Sequence, residues 1–527
     1  MPLGHLLGAI ATRPLVKKCR NFSNRKAEVT INSSFSRQIK KTINNLNLFL
    51  SVLTLAPEYY YVHLTVWAKV LPLIAMDTQL FDLPKNSGIL SQKFFASDLP
   101  KTRLFTSSAS AIGDFNGDGF DDWQFSGSGY DRKTNRSFAE TYLIFGSDTR
   151  DRSPKDLSNI PNDQGFRLSQ FNDDDPTIKA LGDVNGDGFD DLVINFHVVF
   201  GSAEPDPNLN LGELNGTNGF AIVPDYSYYG EVLPVGDFNG DGFDDMLIST
   251  YRYEPFSRGN IQAYLIFGRE SGFDASVDLL NLAPDQGLTF ETTPRAYHRG
   301  EALGIGDING DGFDDIVFSS TNVELTRYNL VPFTDQLIIY GNDETSATPI
   351  DPEFAADLRI RRRGDFRNIG DINGDGQSDF IDFNRIYLSP EDLSNLPSRL
   401  DGVNGFRIQS NRGDRLRIST AGDINQDGID DLLVNNLNLS FRGLSTRKGL
   451  EFQDAYIIFG QAEGFKKLIR LERLNPSQGF AINFGADSLT GSLQSIGDVN
   501  GDGITDAVSV FSSNSAEVIY GQAAPSP

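Results

Sequence analysis

Seven times between Gly113 and Asp506 the chain writes a variant of G-D-x-N-x-D-G-x-x-D. The copies are GDFNGDGFDD from Gly113, GDVNGDGFDD from Gly182, GDFNGDGFDD from Gly236, GDINGDGFDD from Gly306, GDINGDGQSD from Gly370, GDINQDGIDD from Gly422 and GDVNGDGITD from Gly497. Their leading aspartates lie 69, 54, 70, 64, 52 and 75 residues apart, so a constant unit is joined by loops of variable length. Fixed motifs at such periods mark repeat architectures, in which each unit packs on its neighbours.

Each unit has one grammar. A short β-type run follows the motif, as in DLVINF or DMLIST. A second run ends in aromatic-Gly: YLIFG (142–146), HVVFG (197–201), YLIFG (264–268), LIIYG (337–341), YIIFG (456–460) and EVIYG (517–521). A third, carrying Gly at its second position, opens the next unit, as in QGFRLS (164–169) and NGFRIQ (404–409), and a fourth, such as LRISTA, leads into the motif. Four short strands, Gly-rich turns and no 3.6-residue period predict an all-β unit. Seven such units predict a seven-bladed β-propeller with four-stranded antiparallel blades and a Ca2+ loop in each blade. The last unit stops at Gly521 one strand short, and SGILSQ (87–92) precedes the first unit as an orphan strand. The orphan is expected to complete blade seven and remove its edge.

Counting the motif's aspartate as position one, oxygen side chains stand at positions 1, 3, 5 and 9, with Gly at 6 allowing a sharp bend. The candidate ligands of loop one are Asp114, Asn116, Asp118, the carbonyl of Phe120 and Asp122. Loop two offers Asp183, Asn185, Asp187, Phe189 and Asp191; loop three offers Asp237, Asn239, Asp241, Phe243 and Asp245. Loop four offers Asp307, Asn309, Asp311, Phe313 and Asp315; loop five offers Asp371, Asn373, Asp375, Gln377 and Asp379. Loop six offers Asp423, Asn425, Asp427, Ile429 and Asp431; loop seven offers Asp498, Asn500, Asp502, Ile504 and Asp506. Three carboxylates held this close repel unless a cation sits between them. Oxygen-only sets suit Ca2+, up to seven ions, better than Zn2+ or Cu2+, and better than the geometrically stricter Mg2+. An EF-hand is excluded. Its position 12 must be Glu, whereas here it is Phe125, Ile194, Ile248, Phe318, Asp382, Val434 or Ser509, and the flanks read as strands.

Composition narrows the function. One Cys (Cys19) excludes a disulfide scaffold and Cys-ligated metal, and four scattered His argue against a multi-His hydrolytic centre. Ten of the 46 basic residues but only Glu28 and Glu58 of the 71 acidic ones fall in residues 1–75, so residues 76–527 carry a net charge of −33. Such a body attracts cations and repels phosphate backbones, so no nucleic acid partner is expected. Residues 1–75 form a basic and apolar extension, read either as a late export signal (Arg37, Lys40 and Lys41, then the apolar run 46–56) or as sequence preceding a start at Met76. The apolar stretch is too interrupted for a membrane span. The chain shows no G-x-S-x-G, His–Glu–His cluster or P-loop, so a non-enzyme is expected.

Repeats of this form, GFxI…GDxNGDGxxDxxI…YxIFG over roughly residues 81–521, resemble FG-GAP repeats, the blades of the integrin α-chain N-terminal propeller and its bacterial relatives. The resemblance implies a calcium-binding propeller in an adhesion or protein-binding role, extracellular or at the cell surface. A carbohydrate-binding propeller, or the binding module of an extracellular hydrolase system, is the alternative. If the motif joins strands A and B, all seven loops share one face, and a protein or glycan ligand is expected on the other. There Tyr228, Tyr229, Tyr251, Arg252, Tyr253, Tyr297 and Arg299 form a candidate patch of residue types enriched at binding hot spots. Arg363-Gly364-Asp365 and Arg412-Gly413-Asp414 spell a tripeptide that integrins recognise, but both stand where the repeat itself tends to place Gly-Asp.

Overall fold

The computed structural model describes residues 90–96, 104–131, 136–148, 153–168, 176–223, 229–251, 261–291, 300–325, 330–343, 349–362, 366–388, 396–410, 416–436, 455–462, 464–482, 492–511 and 515–522. The extension 1–75 and both Arg-Gly-Asp triplets lie outside these residues.

The described strands form seven sheets, an all-β propeller. Blade one shows the order of all. Strand A (Leu104–Gly113) pairs antiparallel with B (Asp122–Asp131), B with C (Arg136–Ile144), and C with D (Gly165–Leu168). The recurrent motif is the A–B turn, as expected. The aromatic-Gly runs are C strands and the Gly-Phe runs D strands.

Alternation within strands sends one apolar set to each side of a blade, and the core accordingly lies between blades. Among the described residues seven apolar clusters occur, each drawing on two adjacent blades. Blades one and two share Ile112, Leu143 and Phe166 with Ile178, Leu192 and Val199. Blades three and four share Leu247 and Leu265 with Ile316 and Phe318. The ring closes where Val508, Val510 and Val518 of blade seven meet Trp123, Phe125 and Tyr142 of blade one.

Closure by the orphan strand is observed. Its described part is Leu90–Phe95, residues 87–89 lying outside the described residues, and it pairs antiparallel with Ser515–Tyr520, Leu90 opposite Tyr520 and Phe95 opposite Ser515. Side chains explain this register. Phe94 meets the Trp123 ring edge-on at 4.9 Å, and buried Gln92 accepts the Tyr520 hydroxyl (2.8 Å) while donating to the Ser153 carbonyl (3.0 Å).

Four antiparallel strands per blade is too simple a description. Three sheets gain a fifth, parallel strand supplied by the next blade. Lys155–Asp156, Ser276–Asp278 and Leu468–Arg470 each leave a C–D connection to pair with the outer strand of the preceding blade. Ile350 makes a comparable bridge to Phe290. These contacts cover edges that would otherwise offer free backbone groups. Segments of two or three residues carry no periodicity by which a sequence could announce them.

Candidate metal centres

The loops are rigidified by their own side chains. In loop one, Asp114 Oδ1 accepts the Asp118 N–H (3.0 Å) and Oδ2 the Gly119 N–H (2.9 Å). Asn116 accepts from Asp118 N–H (3.0 Å) and donates to Asp118 Oδ2 (3.0 Å), and Asp118 Oδ1 accepts from Phe120 N–H (3.1 Å). The same set recurs around Asp183, Asp237, Asp307 and Asp371. Loops six and seven differ at position three, where Asn425 and Asn500 donate instead to Asp431 and Asp506.

Position nine is buried outright. Asp122, Asp191, Asp245, Asp315, Asp379, Asp431 and Asp506 are all 0% exposed. Six of them begin strand B, Asp379 standing just before Phe380–Asp382, and in those six blades Oδ1 accepts the N–H of the Gly ending the aromatic-Gly run, as from Gly146 (2.8 Å), Gly201 (2.9 Å) and Gly268 (2.8 Å). The two sequence motifs are therefore halves of one contact. Side-chain space at these glycines is closed too: a methyl on Gly268 would stand 2.7 Å from Phe243 Cβ and 2.5 Å from the Asp244 carbonyl.

Burial pushes the Asp122, Asp191, Asp245, Asp431 and Asp506 carboxyls up to about 8 and Asp315 up to about 7. Backbone amides pull the other way, and the acids at positions one and five of the same loop add to the rise.

The donor set fits a hard divalent cation. It is all oxygen, and two buried loop oxygens, Asp122 Oδ2 and Asn425 Oδ1, have no hydrogen-bond partner among the described residues. Among the described residues, however, no group of three His, Cys, Asp or Glu side chains is drawn together tightly enough to hold an ion as it stands. The loop acids instead bind loop amides.

Position eight was idle in the ligand pattern, and the structure gives it a role. Asp190 Oδ2 accepts the N–H of Asp114 in the preceding blade (2.7 Å), and the Asp190 N–H donates to the Asp114 carbonyl (3.2 Å). Asp121, Asp244, Asp314 and Asp430 repeat this on Asp498, Asp183, Asp237 and Asp371. At these five junctions the Gly opening the motif is needed for it. Gly113 has φ +71, and any side chain there would overlap the Asp190 carboxylate. Asp at position eight in five of seven copies was the available signal.

Position seven caps position four of the loop before it. The Phe313 ring covers Gly240, whereas the space above Gly310, whose following blade carries Gln377, is open. Both glycines have positive φ, +73 and +75. Gly310→Ala is therefore expected to cost about 1–2 kcal/mol from backbone strain alone. Gly240→Ala should cost a further ~1–3 kcal/mol, because its methyl meets the ring. Equal melting temperatures of the two variants in calcium would refute the capping role.

Of the candidate partner patch, Tyr229 and Tyr251 stand opposite each other on strands A and B of blade three, at the end away from loop 237–245. Tyr228, Arg252, Tyr253, Tyr297 and Arg299 lie outside the described residues. No helix of the described residues is long and apolar enough to cross a membrane.

No family model matches the chain. It is similar to integrin alpha pat-2 of Caenorhabditis elegans, 26% identical over 245 residues, which is 42% of this chain and 18% of that protein. The likeness thus spans under a fifth of the relative's length. Together with the seven blades, it makes the propeller integrin-α-like.

Proposed function

We propose that the chain is a calcium-binding, non-enzymatic adhesion module of the integrin-α-like kind, working outside the cell or at its surface. The observation that carries this reading is the ring of seven loops with one oxygen donor set, on a propeller similar to an integrin α chain. In each loop the side chains at positions 1, 3, 5 and 9 and the carbonyl at position 7 would hold the ion. When bound, the ion supplies positive charge that neutralises three carboxylates. The chain's own part is to hold the loops in a common ring by the inter-blade bonds and to leave the opposite face for a partner.

On this reading the partner binds at the segments around Tyr228–Tyr229, Tyr251–Tyr253 and Tyr297–Arg299, and its chemistry is that of a protein surface. Tyr and Arg supply large contact area and charge-assisted bonds at such sites. Replacing Tyr229, Tyr251, Tyr253 and Tyr297 by Ala together is expected to abolish cell-adhesion binding while leaving the calcium-dependent melting transition in place. A folded quadruple variant that still binds would move the site elsewhere. Binding on a glycan array with no protein ligand would favour the carbohydrate reading.

A further inference from the structure

We infer that the position-eight aspartates couple neighbouring calcium loops, so that filling one loop raises the affinity of the next; this rests on the calcium reading above. Each such residue belongs to two loops at once. Asp190 holds the main chain of Asp114, a candidate ligand of loop one, through both its carboxylate (2.7 Å) and its own N–H (3.2 Å). It is also covalently next to Asp191, a fully buried candidate ligand of loop two. A shift in either loop as ligands close on a cation is thereby carried into the other by two short bonds rather than through solvent.

The linkage is uneven around the ring. Doubly bonded pairs join loops seven to one (Asp498 with Asp121, 2.6 and 3.1 Å), one to two, two to three (2.8 and 3.1 Å) and three to four (2.8 and 2.9 Å). Another joins five to six (2.9 and 3.1 Å). At the junction of four and five, position eight is Ser378, and Asn368 fills the space, donating to the Ile305 carbonyl (2.8 Å) and to Ser378 Oγ (3.1 Å). At the junction of six and seven, Thr505 has no carboxylate and its N–H alone reaches the Asp423 carbonyl (3.0 Å). The seven loops therefore divide into an arc of five (seven, one, two, three, four) and an arc of two (five, six).

Calorimetric titration of the full chain with calcium chloride tests this, on variants first shown to melt cooperatively in EGTA. Asp118→Ala disables loop one and should weaken the other four loops of its arc by about 5- to 150-fold, the usual range of coupling between sites. Asp375→Ala disables loop five and should weaken only loop six. Asp190→Ala leaves every candidate ligand in place and should still lower affinity, and Asp190→Asn, whose amide oxygen can accept the same N–H, should restore most of it. A purely structural staple would lower the melting temperature in EGTA without changing these affinities. If Asp118→Ala and Asp375→Ala each remove one site and leave the rest unchanged, the coupling is wrong while the calcium reading survives. If the unmodified chain takes up no calcium, both fall. Should Asp190→Ala fail to fold, the contrast between Asp118→Ala and Asp375→Ala decides alone.

Discussion

Stripped of calcium by EGTA, the chain is expected to melt on the order of 10 °C or more below the calcium-saturated protein. Each occupied site stabilises the fold by about 2.7 kcal/mol at a hundredfold excess over Kd. The loops also adjoin six buried carboxyls that burial and neighbouring acids have pushed up to about 7 or 8. The pH dependence has a definite sign. A carboxyl whose folded pKa is raised above its unfolded value of about 3.9 adds stability below that value, and the stability is lost as pH rises through the folded pKa. In EGTA the melting temperature should therefore fall between about pH 4 and about pH 8 as these groups ionise without a counter-charge. On the proposed reading calcium would bind the ionised form, so saturating calcium should abolish or reverse that slope. Identical melting curves with and without EGTA at pH 8 would remove calcium from the account. A rise of melting temperature with pH in EGTA would show that the position-nine carboxyls ionise freely.

The second large effect concerns the seam. Removing residues 1–75 should leave the propeller folded. Removing residues 1–95 should make it aggregate, because the six-residue strand Leu90–Phe95 goes with them. Ser515–Tyr520 would then present an unpaired edge, and Trp123, 1% exposed in the intact protein, would lose the Phe94 ring that covers it. Unpaired edges and uncovered aromatics both promote association. The comparison is made by size-exclusion chromatography of the two truncated chains in calcium. Equal monomer yields would mean that the ring does not depend on this strand for closure.

Much of this could be read directly from residues. Seven copies of G-D-x-N-x-D-G-x-x-D set the number of blades, and the strand runs around each copy set the A–B–C–D order. The missing last strand and the orphan before blade one foretold the closure. These features are local or repetitive, and a pattern repeated seven times leaves little room for another explanation. The partner patch was legible only as composition, since Tyr and Arg in irregular turns say nothing about which side chains meet.

What the sequence by itself determined is the unit: four short strands, a tight acidic loop at one end, and an oxygen donor set at alternating positions, all set by φ, charge and period within some ten residues. Only the tertiary structure decided how units bind one another. The Asp190 carboxylate on the Asp114 amide, the Phe313 ring over Gly240, and Lys155–Asp156 beside Leu90–Phe95 all join residues that are distant in sequence. Their partners are backbone groups, which every residue carries alike, so no side-chain pattern could name them before the blades were placed side by side.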